Sequence, residues 1–542
     1  MAWLAQLDRE TALRRAREIR QDVAAAARLT RDLPAYLRHP MTPEQIRAGV
    51  TQRLAQRPER LLAIVARTIY ANPRSPYLKL LRMAGCELGD LRALVQQEGV
   101  EGALQLLVAR GVYVTFDELK GRREAVRGSQ RFTFRQEEFD NPTIGPHLIV
   151  RTGGSGGRAS RVGLSLEHFK DWACSLGITL QAHGAGDSDQ VYWWQVPFQG
   201  MLGSARIGRP PIAWFYPMHP LPPAARLAGW YLVALSRLAG QPLPIPRRAD
   251  LDRPEQVVDW TIAQVAAGRT LTLRATPSTA MRAATHALEA GKRLHGVTFM
   301  LSGEAVTPAR RRQIEQTGAR LIVRYASVEL MGLSYSCATP RSADDVHVML
   351  DMYGFAKRQR EAFPDGPVVD ATLFTTLGPN AAKIAFNAEL GDYAQIEERD
   401  CGCLLGQLGM RVHLSEIRSF EKLTGEGVTF ARSNLETILD DSLPGRFGGT
   451  GLNYQVAEEE AANGATRLIL RISPSVGQLD ADIVRDTLLD ELSRGNLVNA
   501  YHAALWRQAQ TIEVRREPPL MTKGGKVLPF HVLRRALAPA DR

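Results

Sequence analysis

The chain has 542 residues, of which 44% are hydrophobic, 23% charged and 7% aromatic, an ordinary globular balance that excludes a disordered or fibrous protein. At roughly 150 residues per domain this length predicts about three or four domains, or two or three if one is a large α/β unit. The net charge of +11 invites a nucleic-acid reading, but only nine of the 68 basic residues are lysine, and the arginines are scattered beside acidic neighbours, as in DRETALRRAREIRQD and RREAVRG. No run of five or six like charges forms the stripe that binds a phosphate backbone, so no nucleic-acid partner is expected.

Residues 1–20 contain no apolar stretch of secretory-signal type, and no window of 18 residues is uninterruptedly apolar. Neither a membrane span nor a membrane partner is expected. Five cysteines without a signal read as reduced thiols, and the expected compartment is the cytoplasm.

In chain order, residues 1–125 read as a helical segment, with apolar residues at three- and four-residue spacing in LLAIVARTIYA and LRALVQQEGVEGALQLLVARG. From His147 the texture changes to β-rich runs (HLIVRT, VTFMLSG, ARLIVRYAS, VVDATLFTTL) alternating with helical patterns, which predicts an α/β core. GQPLPIPRRADLDRPEQ reads as a proline-rich internal loop. Towards the end RLILRIS, DADIVRDTLLDELSRGN and TIEVRRE read as strand, amphipathic helix and strand of a small separate unit.

The sharpest local signal is RTGGSGGRAS, directly after the apolar HLIV. Its glycines and hydroxyls suit a loop whose backbone amides close around a phosphate, although a flexible glycine turn has the same composition and the Walker spacing is absent. Further on come Ser302-Gly303-Glu304 after an apolar strand, then Tyr325-Ala326-Ser327-Val328-Glu329, Gly391-Asp392, Arg418 and the terminal PPLMTKGGKVLP. This order resembles the adenylate-forming superfamily of acyl-CoA synthetases and acyl-AMP ligases. There the motifs read approximately S-G-T-T-G-x-P, G-G-E, Y-G-x-T-E, T-G-D, G-R and P-x-T-x-x-G-K. The N-terminal RSPYLKL and GVYVTFDELKGR are most similar to the phenylacetate-CoA ligase branch. The chain departs from the pattern at Ala326, Val328 and Ile417, and in lacking the lysine and proline that often follow the phosphate loop.

The resemblance implies an α/β fold with a large multi-layer body over 126–417 that holds the ATP and acyl pockets. The helical segment 1–125 packs on this body, and a small mobile α+β domain over 418–542 carries the catalytic Lys526. It implies ATP contacts from Thr152, Gly153, Gly154, Ser155 and Gly156, from Ser302, Gly303 and Glu304, and from Ala326 and Ser327. Tyr325 stacks on adenine, Asp392 accepts from the ribose hydroxyls and Arg418 touches ribose at the hinge. Glu329 holds Mg²⁺, and Lys526 meets charge at the α-phosphate. Taken alone, Tyr325 also reads as a core aromatic, Asp392 as a turn residue, and Arg418 as a partner of Glu416 or Glu421.

Cys337, His347, Cys401 and Cys403 form a second constellation, with His413 as an alternative fourth member. Their donors suit a closed structural Zn²⁺ site, and equally a set of buried reduced thiols beside a strand histidine. Trp193, Trp194, Phe198 and Phe215 are candidates for the acyl pocket or for core. The expected activity is ATP-dependent formation of an acyl-AMP from an aromatic or apolar acid, followed by transfer to a thiol such as coenzyme A. The alternatives are an acyl-AMP ligase delivering to a carrier-protein phosphopantetheine or an amine, and an inactive scaffold of the same fold. The sequence leaves the oligomeric state open, a dimer included.

Overall fold

The computed structural model describes residues 2–151, 161–217, 223–361, 368–420, 422–425, 428–431, 435, 438–460, 466–494, 497–520 and 530–532. The N-terminal segment is helical, with helices Ala2–Arg38, Pro43–Ala55, Arg57–Val65, Pro76–Met83 and Leu88–Ala109. Thr42 and Gln45 cap the second of these reciprocally, side chain to backbone in both directions, with Pro43 at its first position. Arginines lock this layer onto the body. Arg53 pairs with the fully buried Asp351 at 2.7 Å, Arg57 donates to the Leu350 carbonyl at 2.7 Å, and Arg60 donates to that of Asp351 at 2.6 Å.

The body is built on one twelve-stranded sheet. Its strands in chain order are β1 (Asp189–Trp193), β2 (Ala213–Tyr216), β3 (Pro246–Arg248), β4 (Leu271–Ala275), β5 (Val297–Leu301), β6 (Arg320–Ser327), β7 (Met331–Ser336), β8 (Val346–Val348), β9 (Tyr353–Glu361), β10 (Val368–Thr376), β11 (Ala388–Glu398) and β12 (Val412–Ser419). Their spatial order is β9-β10-β11-β12-β8-β7-β6-β5-β4-β1-β2-β3. All pairings from β3 to β6 are parallel, and all from β6 to β9 are antiparallel. The parallel half has the doubly wound order 3-2-1-4-5-6, which reverses between β1 and β4, and in open α/β sheets the carboxyl ends of the strands at such a reversal are where ligands bind. Such strands are covered on both faces, which is why LTLRA and VTFML are buried at every position.

Helices Leu166–Ala182 and Phe198–Arg206 cover the face of the sheet that carries Tyr192. They meet where the Trp172 ring lies on Gly203, at which an added Cβ would stand 2.2 Å from the ring. The Trp172 indole donates to the Tyr335 hydroxyl of β7 at 2.7 Å.

The proline-rich stretch expected to be a loop contains β3. Only three residues long, β3 sits at the sheet edge with Pro246 as its first residue, a position where a missing N–H breaks no ladder.

The apolar run HLIV forms Leu148–Arg151, which pairs with Arg161–Leu164 in a separate two-stranded ladder, and residues 152–160 connect the two. After β12 come a short hairpin, Lys422–Gly425 with Val428–Ala431, and a four-stranded sheet. That sheet runs Ile512–Arg515, Thr466–Ile472, Tyr454–Glu460, Phe530–Val532, with helices Ala481–Ser493 and Leu497–Ala509 between its strands. Among the described residues no helix is long and apolar enough to cross a membrane.

Candidate active site

The site forms where the parallel half of the sheet turns into the antiparallel half. Tyr325 lies near the end of β6, at a bulge between Tyr325 and Ala326, and its hydroxyl donates to Asp392 Oδ2 on β11 at 2.7 Å. Burial raises the Tyr325 hydroxyl well above its ordinary pKa, and the adjacent carboxylate adds to this, so the phenol keeps its proton to donate. Asp392 follows Gly391, whose φ of +88° favours glycine and whose face meets the Phe116 ring.

Across the ladder Asp392 faces Ser419 and Tyr393 faces Arg418, so the sheet register brings Gly391-Asp392 and Arg418 together. Arg418 approaches Asp344 Oδ2 at 3.6 Å rather than Glu416, whose carboxylate accepts from Gln395, while Glu421 lies outside the described residues. The buried Asp344 also accepts from the backbone amides of Glu416 at 3.0 Å and Ile417 at 3.2 Å.

Glu329 lies in the tight connection from β6 to β7, which Ser327 closes by accepting from the Leu330 amide at 3.1 Å. Its carboxylate pairs with Lys120 Nζ at 2.5 Å, and both side chains are nearly buried. Lys120 follows the one-turn helix Phe116–Leu119, capped by Thr115, and sequence reasoning did not single it out. The pair lines a narrow cleft with Gln136 and Lys383.

Ser302, Gly303 and Glu304 follow β5, and Gly303 has a φ of +93°. Glu304 turns inward. Its Oε2 accepts from Ser278 at 2.6 Å and from Arg310 at 3.1 Å, an ion pair with side chains only 3% and 1% exposed. Among the acyl-pocket candidates Trp193, Phe198 and Phe215 are buried, Phe198 edge-on to Trp214 and Phe215 edge-on to Trp260. The Trp193 indole donates to the Ala249 carbonyl at 3.0 Å, and Trp194 is half-buried. Thr152, Gly153, Gly154, Ser155, Gly156 and Lys526 lie outside the described residues.

The second constellation is assembled. One donor atom from each of Cys337, His347, Cys401 and Cys403 lies within 4.8 Å of all the others. Cys403 Sγ is 3.2 Å and Cys401 Sγ 3.6 Å from His347 Nε2, against about 3.5 Å for thiolate and imidazole donors around one tetrahedral zinc ion. His347 Nδ1 is 2.6 Å from the Met410 carbonyl, which can only accept, so Nδ1 carries a proton and Nε2 is the ring nitrogen that faces the sulfurs.

Cys403 is driven well below the usual thiol range, first because Cys337 donates to it and further by His347, while Cys337 is correspondingly raised. His413 lies beside this group: its Nδ1 is 2.8 Å from Asp345 Oδ1, with Arg399 on the same carboxylate, and His413, Asp345 and Cys337 also bring donor atoms within 4.8 Å of one another.

No protein-family model matches the chain, and no curated protein matches it. Solved structures do. A 2-hydroxyisobutyryl-CoA ligase in complex with 2-HIB-AMP and CoA in the thioesterification state aligns at a TM-score of 0.52 with 15% identity, covering 89% of this chain and 90% of that one. An amide bond synthetase from Marinactinospora thermotolerans aligns at 0.39 with 12% identity over 87% and 92%. An acyl-CoA synthetase (AMP-forming)/AMP-acid ligase II-like protein from Dyadobacter fermentans aligns at 0.28 with 13% identity over 70% and 87%. The first of these matches, nearly full length on both sides, shows that the chain has the α/β fold of the adenylate-forming ligases.

Proposed function

We propose that this chain is an ATP-dependent carboxylate-activating ligase of the AMP-forming kind. The observation that carries the reading is the meeting of Tyr325, Asp392 and Glu329 at the carboxyl end of β6, within the fold just described. In the proposed reaction a carboxylate oxygen of the acid forms a bond to the α-phosphorus of ATP. The bond to the β-phosphate bridge breaks and pyrophosphate leaves. A thiolate such as that of coenzyme A then attacks the acyl carbon of the mixed anhydride and AMP leaves. The acid is read as having an aromatic or apolar body.

Each residue has a role in this reading. Asp392 accepts from the ribose hydroxyls, and Tyr325 holds its carboxylate in place while presenting a ring to the base. Thr152, Ser155 and the glycine amides around them hold the outer phosphates. Lys526, on the small unit from 418 onward, supplies a point charge at the α-phosphate and is withdrawn when that unit swings about Arg418. Glu329 is the carboxylate for Mg²⁺. It already faces a cation, the Lys120 ammonium, so its surroundings suit positive charge. When bound there, the ion offsets phosphate repulsion and acts as a Lewis acid. The Cys337, His347, Cys401 and Cys403 cluster is read as a structural zinc site that ties β7, β8 and the segment before β12 together, with no open position for chemistry.

The test is pyrophosphate release over a panel of acids, with and without coenzyme A. Release that is accelerated by coenzyme A and abolished in Lys526→Ala and Glu329→Ala is the expected result. Absence of release with every acid, or full release in both variants, overturns the reading.

A further inference from the structure

The parallel half of the sheet reverses its order between β1 and β4, and the carboxyl ends of the strands at such a reversal are where open α/β sheets take ligands. Next to last in each strand are Tyr192 and Arg274, which are register partners. Arg274 is 5% exposed, yet it has no carboxylate partner. Its guanidinium lies over the Tyr192 ring at 5.1 Å and donates once, to Gln190 Oε1 at 3.1 Å, while its Nε is buried without an acceptor. Burial depresses the charged form of Arg274, and a second guanidinium nearby, Arg324, depresses it further.

Arg324 precedes Tyr325 on β6 and pairs in register with Tyr335. Its guanidinium lies over the Trp172 ring at 5.1 Å and the Tyr335 ring at 5.9 Å, and its Nε is also buried without an acceptor. Among the described residues no acid reaches either arginine. By contrast Arg310, the other fully buried arginine of the described residues, is paired with Glu304.

A buried guanidinium with no acid beside it, a second half-buried guanidinium nearby and an unused Nε donor on each make a costly arrangement that a bound anion would relieve. Guanidinium forks match a carboxylate in two-point geometry, and Trp172, Tyr192 and Tyr335 give the surroundings planar apolar walls. The activated carboxylate of a substrate belongs with Tyr325, Asp392 and Glu329. Arg324 and Tyr325 are consecutive strand residues whose side chains point to opposite faces, so the arginine pair cannot serve that same group.

We infer that the acid activated here carries a second carboxylate, bound between Arg274 and Arg324 at the reversal point of the sheet. The substrate class is thus a dicarboxylic acid with an apolar or aromatic body. This inference rests on the proposed carboxylate activation and narrows it.

The experiment pairs diacids with monoacids of matched body: adipate with hexanoate, and terephthalate with 4-methylbenzoate. Pyrophosphate release gives kcat/KM for each, and calorimetric titration of the full chain without nucleotide gives binding. The wild type is expected to favour the diacid by tenfold or more in at least one pair. Arg324→Gln is expected to bring that ratio to near one, and Arg324→Lys to retain part of it, with melting temperature confirming that both fold.

Equal use of monoacids and diacids, or a ratio unmoved in Arg324→Gln, overturns the inference and leaves the activation reading standing. Arginine-dependent binding of a diacid with no pyrophosphate from any acid sinks the activation reading and upholds the second carboxylate site. Absence of diacid binding by calorimetry, together with no diacid preference in turnover, sinks the inference.

Discussion

Tyr325 and Asp392 lie 67 residues apart and meet through a single hydrogen bond, hydroxyl to carboxylate, at 2.7 Å. The bond joins the end of β6 to the bulged middle of β11 and fixes the orientation of the carboxylate proposed to read ribose. Tyr325→Phe keeps the ring and removes only the donor. A hydrogen bond to a charged group contributes about 1.5–3 kcal/mol, so KM for ATP is expected to rise by roughly tenfold or more, with kcat much less affected. Steady-state kinetics at saturating acid checks this. An unchanged KM for ATP would remove Asp392 from the nucleotide site.

The Lys120 and Glu329 pair makes a different prediction, because the carboxylate proposed for Mg²⁺ is already neutralised by an ammonium. Lys120→Met takes the ammonium away from a nearly buried carboxylate, at a cost of about 3 kcal/mol, the lower end for breaking a buried pair. The variant is expected to melt below the wild type, and added Mg²⁺ is expected to raise its melting temperature more than that of the wild type. Thermal scans across a Mg²⁺ titration provide the comparison. Identical Mg²⁺ shifts in the two proteins would exclude Glu329 as the metal carboxylate.

Much of the fold was legible because its signals are local. The helical period of the first hundred residues and the alternation of buried strands with helices stand in the sequence. What the sequence concealed depends on partners far away in the chain. Lys120 looks like a helix-end lysine until β6 brings Glu329 to it, and Asp344 is an unremarkable loop acid until β12 lays two amides and Arg418 against it. Arg274 sits inside an apolar run, and only strand order reveals that it stands at the reversal point. β3 was hidden by Pro246 and the prolines before it; an edge strand tolerates a proline at its first position and a central strand does not. Glu304, which the motif order reads as an ATP contact, turns inward to Arg310, a partner only six residues on that the sequence pattern did not mark.

The Cys337, His347, Cys401 and Cys403 cluster predicts about one equivalent of zinc in protein never exposed to chelator. Cys403→Ser removes a buried sulfur that stands 3.2 Å from His347 Nε2. It is expected to lower bound zinc below about a tenth of an equivalent and to reduce the melting temperature, since binding at a structural site adds directly to folding stability. Elemental analysis with matched thermal scans tests both. Zinc-free wild-type protein of full stability would reduce the cluster to buried thiols.

Asp344 holds the peptide that leads into the small unit. Its two oxygens accept from the Glu416 and Ile417 amides, and Glu416 is kept at a φ of +49°, a conformation unfavourable to a residue with a side chain. Asp344→Ala frees both amides and lets that strain relax. Hydrogen exchange at Glu416 and Ile417 is expected to quicken by tenfold or more, equivalent to about 1.4 kcal/mol. If the small unit turns about this segment, the thioester-forming half-reaction should change more than adenylation does. Equal effects on the two half-reactions would confine Asp344 to local stability.

His168 sets an acid limit on stability. It is buried in helix Leu166–Ala182, neither ring nitrogen has a partner, and burial pushes its pKa down to about 4 against a weaker pull from Asp171. The unfolded chain takes up a proton near pH 6.5 and the folded chain does not until about pH 4, so the unfolded state binds more protons in that window and stability falls as pH is lowered through it. The gap corresponds to about 3 kcal/mol, present in full above pH 6.5 and lost by pH 4. Replacing His168 with Leu removes the titrating group and should flatten the pH dependence of the melting temperature between 6.5 and 4 by close to one proton. A variant whose stability still falls as steeply as the wild type would place the acid sensitivity at other groups.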